Sequence, residues 1–239
     1  MVLFKSLLYF SFLVISTTLF GILLSTVGWL LPFSMRSGIA NLWARTNVKM
    51  QKVLCNLDYQ VSGLENIPST NVIVFSKHQS AWETIALRCI LPPQQTWVLK
   101  RELMWIPIFG WALAANEPIA IDRKAGRRAA KQIIEQGRDR LKQGRTVVVF
   151  PEGTRVAPGT RKKYGIGGAL LAEKTGYAVL PVAHNAGVFW RRRDIKKYPG
   201  TIQLVIGPVI AVDGLRSSEI NKRVEQWIEQ TAASLPQSH

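Results

Sequence analysis

Cysteine is nearly absent. Cys55 and Cys89 are the two in the chain, far apart and in neither a CxxC pair nor a disulfide-like spacing, which points to a reducing compartment. Histidine is as scarce. His78, His184 and His239 are scattered, with no HExxH or related ligand pattern, so no metal site is expected. No GxSxG elbow occurs, so a serine nucleophile of that kind is not expected. No linker, repeat or low-complexity block interrupts the chain. Acidic residues are outnumbered: 15 Asp and Glu face 31 Lys and Arg, a net charge of +16. An anionic partner follows, and nucleic acid, anionic lipid and a polyphosphate-bearing cosubstrate all fit. The 239 residues, 47% hydrophobic, suit one domain with a full core and an apolar surplus.

That surplus is local. From Ser6 to Met35 there is no charge, and Leu, Phe, Val and Ile dominate between Lys5 and Arg36. At about 1.5 Å per residue, a helix over most of this run covers the roughly 30 Å hydrocarbon core of a bilayer. A cleaved signal peptide would have an apolar region of only about 7–15 residues. Beyond Leu31-Pro32, the segment Ala40 to Leu57 interleaves Leu42, Trp43, Val48, Val53 and Leu54 with Arg45, Lys49 and Lys52. It reads either as a helix along the headgroups or as an ordinary core-facing helix. One cation precedes the apolar run, while Arg36, Arg45, Lys49 and Lys52 follow it. The positive-inside tendency therefore places the main domain on the cytoplasmic side of a cell membrane. Two units are expected: a membrane-anchoring helical segment over 1–57 and a globular domain over 58–239.

The globular part alternates short apolar runs with amphipathic or small-residue stretches, the pattern of strands joined by helices. Candidate strands are Asn71–Ser76, Thr96–Leu99, Pro118–Ile121, Thr146–Phe150, Ala178–Ala183 and Ile202–Ile206. Ala130, Ile133, Ile134 and Leu141 predict a helix that Gly144 stops. Ile220, Val224, Trp227 and Ile228 predict a last one. The class is α/β, with a mostly parallel sheet flanked by helices.

The strand through Val72–Phe75 delivers Ser76-Lys77-His78-Gln79-Ser80-Ala81-Trp82-Glu83 to a helix start, and chemistry gathers at such carboxyl ends. A histidine there suits general base catalysis, and a carboxylate on its other ring nitrogen would fix the tautomer. Five residues of helix turn the chain by a net ~140°. His78 and Glu83 therefore meet only if His78 lies in the loop before the helix. Ser80-Ala81-Trp82-Glu83 also matches a capping box, in which Glu83 merely ties down backbone donors.

A histidine five residues before an aspartate after a strand, followed downstream by Phe-Pro-Glu-Gly-Thr-Arg, is the signature of the glycerolipid acyltransferases. Phe150-Pro151-Glu152-Gly153-Thr154-Arg155 matches it letter for letter. Lys100-Arg101-Glu102-Leu103 through Ile121-Asp122-Arg123, and Leu180-Pro181-Val182-Ala183-His184-Asn185, agree as well. From Val72 to Gly187, with its apolar amino terminus, the chain resembles the bacterial lysophosphatidic acid acyltransferases. It departs in carrying Glu83 where the family has aspartate.

The resemblance implies an acyltransferase fold with an amino-terminal membrane element, and an enzyme that moves a fatty acyl group from a thioester to the sn-2 hydroxyl of lysophosphatidic acid, forming phosphatidic acid. It implies His78 as general base, oriented by Glu83, with no covalent intermediate. Arg155 and Arg123 would grip the acceptor phosphate, with Lys100 a weaker candidate. Phe150, Gly153 and Thr154 would belong to that block, and Glu152 would hold the loop or an acceptor hydroxyl. Pro181 would stand on the acyl donor side, and His184 would pack or hydrogen-bond. No cofactor is implied beyond acyl coenzyme A or acyl carrier protein as cosubstrate. The partners are then the lysolipid, the donor and anionic membrane lipid, and nucleic acid is not among them. Arg191-Arg192-Arg193 with Lys196 and Lys197 would meet headgroups or donor phosphates, or be a solvated loop. The competing readings are an acyltransferase for another acceptor, such as glycerol 3-phosphate or a different lysolipid, and a non-catalytic basic protein binding membrane or nucleic acid.

Overall fold

The computed structural model describes residues 1–238, the Lys124 side chain aside, so His239 lies outside the described residues. Two long helices open the chain, α1 (Val2–Thr26) and α2 (Phe33–Cys55). Leu31-Pro32 breaks them apart, since Pro32 is extended at the amino-terminal cap of α2 and lacks the N–H a continuing helix needs. Asn56, left-handed at φ 51°, ends α2, a conformation asparagine adopts more readily than most residues.

Seven strands follow: β1 (Leu57–Ser62), β2 (Ile73–Ser76), β3 (Gln95–Lys100), β4 (Ile119–Ile121), β5 (Thr146–Val149), β6 (Val179–His184) and β7 (Gly200–Ile206). They form one sheet in the order β1-β7-β6-β2-β5-β3-β4, parallel throughout except between β6 and β7. The connecting helices are α3 (Trp82–Ile90), α4 (Phe109–Ala115), α5 (Arg127–Lys142), α6 (Gly167–Thr175), α7 (Ala186–Phe189) and α8 (Ser217–Ser234). The α/β class and all six expected strands are present, with boundaries shifted by one to two residues. β1 was not expected. It alternates polar with apolar residues at the sheet edge, a weaker pattern than the continuous apolar runs of strands covered on both faces.

Successive residues of the central strands feed two different cores. Val74, Val148, Leu180 and Val182 pack with Tyr9, Trp82 and Trp190 on one face. Ile73, Phe75, Val147 and Val149 pack with Ile133, Leu171, Val224 and Ile228 on the other. In α5 the buried positions are Ala129, Ile133, Gly137 and Leu141, so Ala130 and Ile134 flank the buried stripe rather than centre it. Gly137 lets Leu171 of α6 come close, because a Cβ there would lie 2.6 Å from its side chain.

α2 corrects one expectation. Its buried side is Ser37, Ala40, Asn41, Ala44, Asn47, Gln51 and Cys55, while Leu42 and Val53 are 56% and 65% exposed. Small and polar residues make the most buried stripe, Trp43, Val48 and Leu54 pack beside it against the core, and only Leu42 and Val53 of the apolar set turn outward. Asn47 and Ser16 hydrogen-bond each other between α2 and α1, which satisfies polar groups that burial would otherwise penalise.

Candidate active site

β2 ends at Ser76, and the chain runs free of helix until Trp82. His78 is therefore in the loop, the condition on which it can meet Glu83. Its Nδ1 lies 2.8 Å from Glu83 Oε1. The same oxygen accepts the backbone N–H groups of Gln79 and Ser80, each at 2.8 Å, and Ser80 Oγ accepts the N–H of Trp82. Glu83 is thus both the histidine's carboxylate and the cap of α3. Burial works to raise its pKa, but His184, His78 and the Ser80 N–H outweigh it, and the carboxyl is held below its ordinary range. With Nδ1–H donated to this carboxylate, the His78 lone pair is on Nε2.

The second wall comes from the turn after β5. Gly153, at φ 66°, takes a left-handed conformation that favours glycine, and its N–H closes onto Phe150 O at 3.0 Å. Phe150 stacks on the His78 ring, with centroids 4.2 Å apart and planes 19° from parallel. Glu152 turns inward and is 2% exposed. Its Oε2 accepts the backbone N–H of His78 at 2.7 Å, and its Oε1 pairs with Lys77 at 2.7 Å. Burial pushes its pKa up to about 7 despite Lys77.

Lys77 is equally enclosed and reaches Glu229 of α8 at 2.6 Å, where the Tyr164 hydroxyl donates at 2.9 Å. His184 completes the loop's support. Ala186 N–H donates to its Nδ1 at 3.2 Å, so its Nε2–H donates to Lys77 O at 2.9 Å. Burial pushes its pKa down, consistent with a neutral ring. It also lies 3.9 Å from Glu83 Oε2, a carboxylate distant in sequence. Neither Lys77 nor Glu229 carried a sequence signal. A lysine in a loop and a glutamate on a charged helix look solvated until the fold encloses them.

A cavity of about 400 Å³ opens over His78. His78, Phe150, Lys100, Arg123 and Arg155 line it together with Trp97, Leu99, Leu103, Phe109 and Leu113. The lining mixes cationic with apolar side chains, a combination that suits an amphipathic anion. Arg123 also donates to Gly153 O. Glu152 and Gly153 line an adjoining groove instead. Pro181 stands apart, within β6 opposite Phe75, and Thr154 borders neither space. Lys197 corrects the basic-cluster expectation. It is 2% exposed, with Nζ 4.6 Å from the Trp190 ring centroid and near Tyr9 and Phe10. These rings hold it away from any headgroup. Among the described residues no cluster of three or more His, Cys, Asp or Glu side chains could hold a metal ion.

A mostly parallel sheet that presents a carboxylate-held histidine at the mouth of a cavity lined by both cationic and apolar side chains is the architecture of an α/β enzyme. Known proteins narrow the class. Residues 58–185 match the family model described as Acyltransferase, and the chain belongs to the acyltransferase family. It is 42% identical over 235 residues, 97% of this chain and 91% of the relative, to a 1-acyl-sn-glycerol-3-phosphate acyltransferase of Pseudomonas aeruginosa. It is 28% identical to one of Helicobacter pylori, over 67% of this chain and 70% of the relative. Its fold is similar, with a TM-score of 0.70 and 24% identity, to the crystal structure of a 1-acyl-sn-glycerophosphate (LPA) acyltransferase from Thermotoga maritima, covering 90% of this chain and 93% of that one.

Proposed function

We propose that this chain transfers a fatty acyl group from acyl coenzyme A or acyl carrier protein to the sn-2 hydroxyl of lysophosphatidic acid, releasing the free thiol and phosphatidic acid. The observation that carries this reading is that His78, held from behind by the buried Glu83, lines a cavity together with Arg123 and Arg155. Nε2 of His78 takes the proton of the acceptor hydroxyl as its oxygen attacks the thioester carbonyl. The proton then goes to the leaving thiolate, and no enzyme-bound acyl group forms. Glu83 holds the tautomer and stabilises the imidazolium that appears in between. Arg123 and Arg155 bind the phosphate, with Lys100 as an outer cation, and Glu152 positions the His78 loop. Such proton transfer accounts for about 10²–10⁴ in rate, and holding both substrates together supplies much of the remainder.

The same reading puts the protein on a membrane. The exposed side of α1 carries Ile15 and Leu19 at 58% and 63% exposure. Both ends of α1 are tied to one body: Ser6 Oγ accepts Lys197 N–H, and Ser25 Oγ donates to Ile108 O. A crossing helix would separate its ends by the roughly 30 Å hydrocarbon core. We infer instead that α1 and α2 form an anchor over 1–57 that lies in one leaflet, with the catalytic domain over 58–239 on the cytoplasmic side of the cell membrane.

The test is transfer of labelled acyl groups from each donor, in detergent or vesicles, by the native chain and His78→Ala, with glycerol 3-phosphate as the alternative acceptor. Transfer that needs His78 and prefers the lysolipid is expected. Transfer to glycerol 3-phosphate alone, or transfer undiminished in His78→Ala, would overturn the reading.

A further inference from the structure

Arg88 has no place in the mechanism above. It lies in the last turn of α3, one turn beyond Thr84 on the same face, and both line the cavity with His78. Helical side chains lean towards the amino terminus, which here is the direction of His78. The Arg88 guanidinium lies over the Trp97 ring, 5.5 Å from its centroid. Its Nη1 is sealed from water with no hydrogen-bond partner among the described residues. Burial pushes its pKa down to about 10, and no carboxylate offsets that effect. The rest of the side chain keeps some accessible surface.

Three neighbours on the same cavity share this condition. The indole N–H groups of Trp43 and Trp97 and the Oδ1 of Asn116 are buried without partners. The Thr84 hydroxyl donates to Ala81 O at 2.6 Å and not to Asn116 Oδ1. An enclosed cation without a counterion is costly to keep, and unpaired buried donors are rare in native structures. Three donors gathered around an apolar space call for an oxygen acceptor. Arg88 also borders a second, apolar space lined by Phe20, Leu24, Ala40 and Ala112, whose lining holds no other cation among the described residues. A second phosphate would bring a large desolvation penalty there. The uncharged oxygen that a lipid carries into such surroundings is an ester carbonyl.

We propose that Arg88, with the indole N–H groups of Trp43 and Trp97, forms a subsite for the ester carbonyl of the acceptor's existing acyl chain, so that the enzyme distinguishes acyl from alkyl lysolipids. This rests on the acyl-transfer reading for its biological sense but is judged by binding alone. Dissociation constants for ester-linked and ether-linked lysophosphatidic acid, which differ at that carbonyl, would be measured in detergent for the native chain, Arg88→Met and Arg88→Lys, alongside acyl transfer to each lipid.

The native chain should prefer the ester by about tenfold, the low end for a hydrogen bond to a charged donor. Arg88→Met should lose that preference by weakening the ester only, and Arg88→Lys should keep part of it. Arg88→Met should also melt at or above the native temperature, since it removes an unpaired buried charge. Equal binding of both lipids by the native chain would overturn the proposal whether or not the variants fold, and so would an undiminished preference in Arg88→Met. An ester preference that follows the thioester donor's chain rather than the acceptor's linkage would assign Arg88 to the donor and overturn it too. If the native chain binds both lipids but acylates neither, the acyl-transfer reading fails while the binding ratio still decides the role of Arg88.

Discussion

Glu152 and His78 stand 74 residues apart, yet Glu152 Oε2 accepts the backbone N–H of His78 at 2.7 Å. The acidic residue of the Phe150–Arg155 block therefore faces inward, beneath the histidine, while Arg123 and Arg155 of the neighbouring turns face the cavity. One turn thus supports the His78 loop from behind and carries a cation to the cavity in front.

Glu83 makes three contacts of 2.8 Å with one oxygen, a fit set by the length of glutamate. Glu83→Asp withdraws the carboxylate by about one methylene, and kcat should fall at least tenfold with little change in KM, the mark of an interaction strengthened in the transition state. Steady-state kinetics at saturating donor would check this, and a native rate in the aspartate variant would show that the fit is not catalytic.

Arg155→Met and Arg123→Met should each raise KM for lysophosphatidic acid about tenfold or more by removing charge-assisted hydrogen bonds to phosphate. If instead kcat falls at unchanged KM, their charge acts on the reacting atoms rather than on binding.

Lys77 lies between Glu152 and Glu229, all three enclosed. Lys77→Met leaves two buried carboxylates without their cation and should cost about 3–5 kcal/mol. The double variant with Glu229→Gln should recover part of that loss. Urea unfolding of the single and double variants would measure both, and native stability in Lys77→Met would mean the cluster does not hold the loop.

Glu117 gathers Arg36 of α2 at 2.7 Å, Arg145 at 2.8 Å and Arg140 of α5 at 3.2 Å. Burial works to raise its pKa, but Arg145, Arg36 and Arg140 outweigh it and the net shift is downward. A depressed carboxylate contributes stability that is present above its unfolded pKa and is lost as pH falls through the folded one. The melting-temperature gap between the native chain and Glu117→Gln should therefore be open at neutral pH and close as pH drops below about 4.5. A gap independent of pH would refute the assignment.

Ile15→Lys combined with Leu19→Lys places charge on the outward face of α1 without touching Tyr9 or Ser16, which are buried. Sedimentation with vesicles should drop while the melting temperature of the detergent-solubilised protein holds, since surface substitutions usually change stability little. Undiminished sedimentation would place the membrane contact elsewhere.

Much of this protein was legible in one dimension. Apolar runs such as Val72–Phe75 and Thr146–Val149 are buried on both faces wherever they lie in the sheet, so composition alone marks them as inner strands. The spacing of His78 and Glu83 is local, so helix geometry stated the condition for their meeting, a histidine in the loop before the helix, and the fold met it. β1 escaped notice because an edge strand needs only half its residues to be apolar, and the two readings of α2 stayed open in the sequence because its most buried stripe is small and polar, with Trp43, Val48 and Leu54 packed beside it.

What tertiary structure decided concerns charge. Lys77, Lys197 and Arg88 are each a cation that sequence alone assigns to water, and the fold encloses the first two and partly buries the third. Glu152 and Glu229 offset the first, aromatic rings surround the second, and the third has no carboxylate partner among the described residues. Whether a charged side chain is solvated or buried depends on contacts between segments remote in the chain. Helical and strand periodicity report which face turns inward, but only packing determines what waits there.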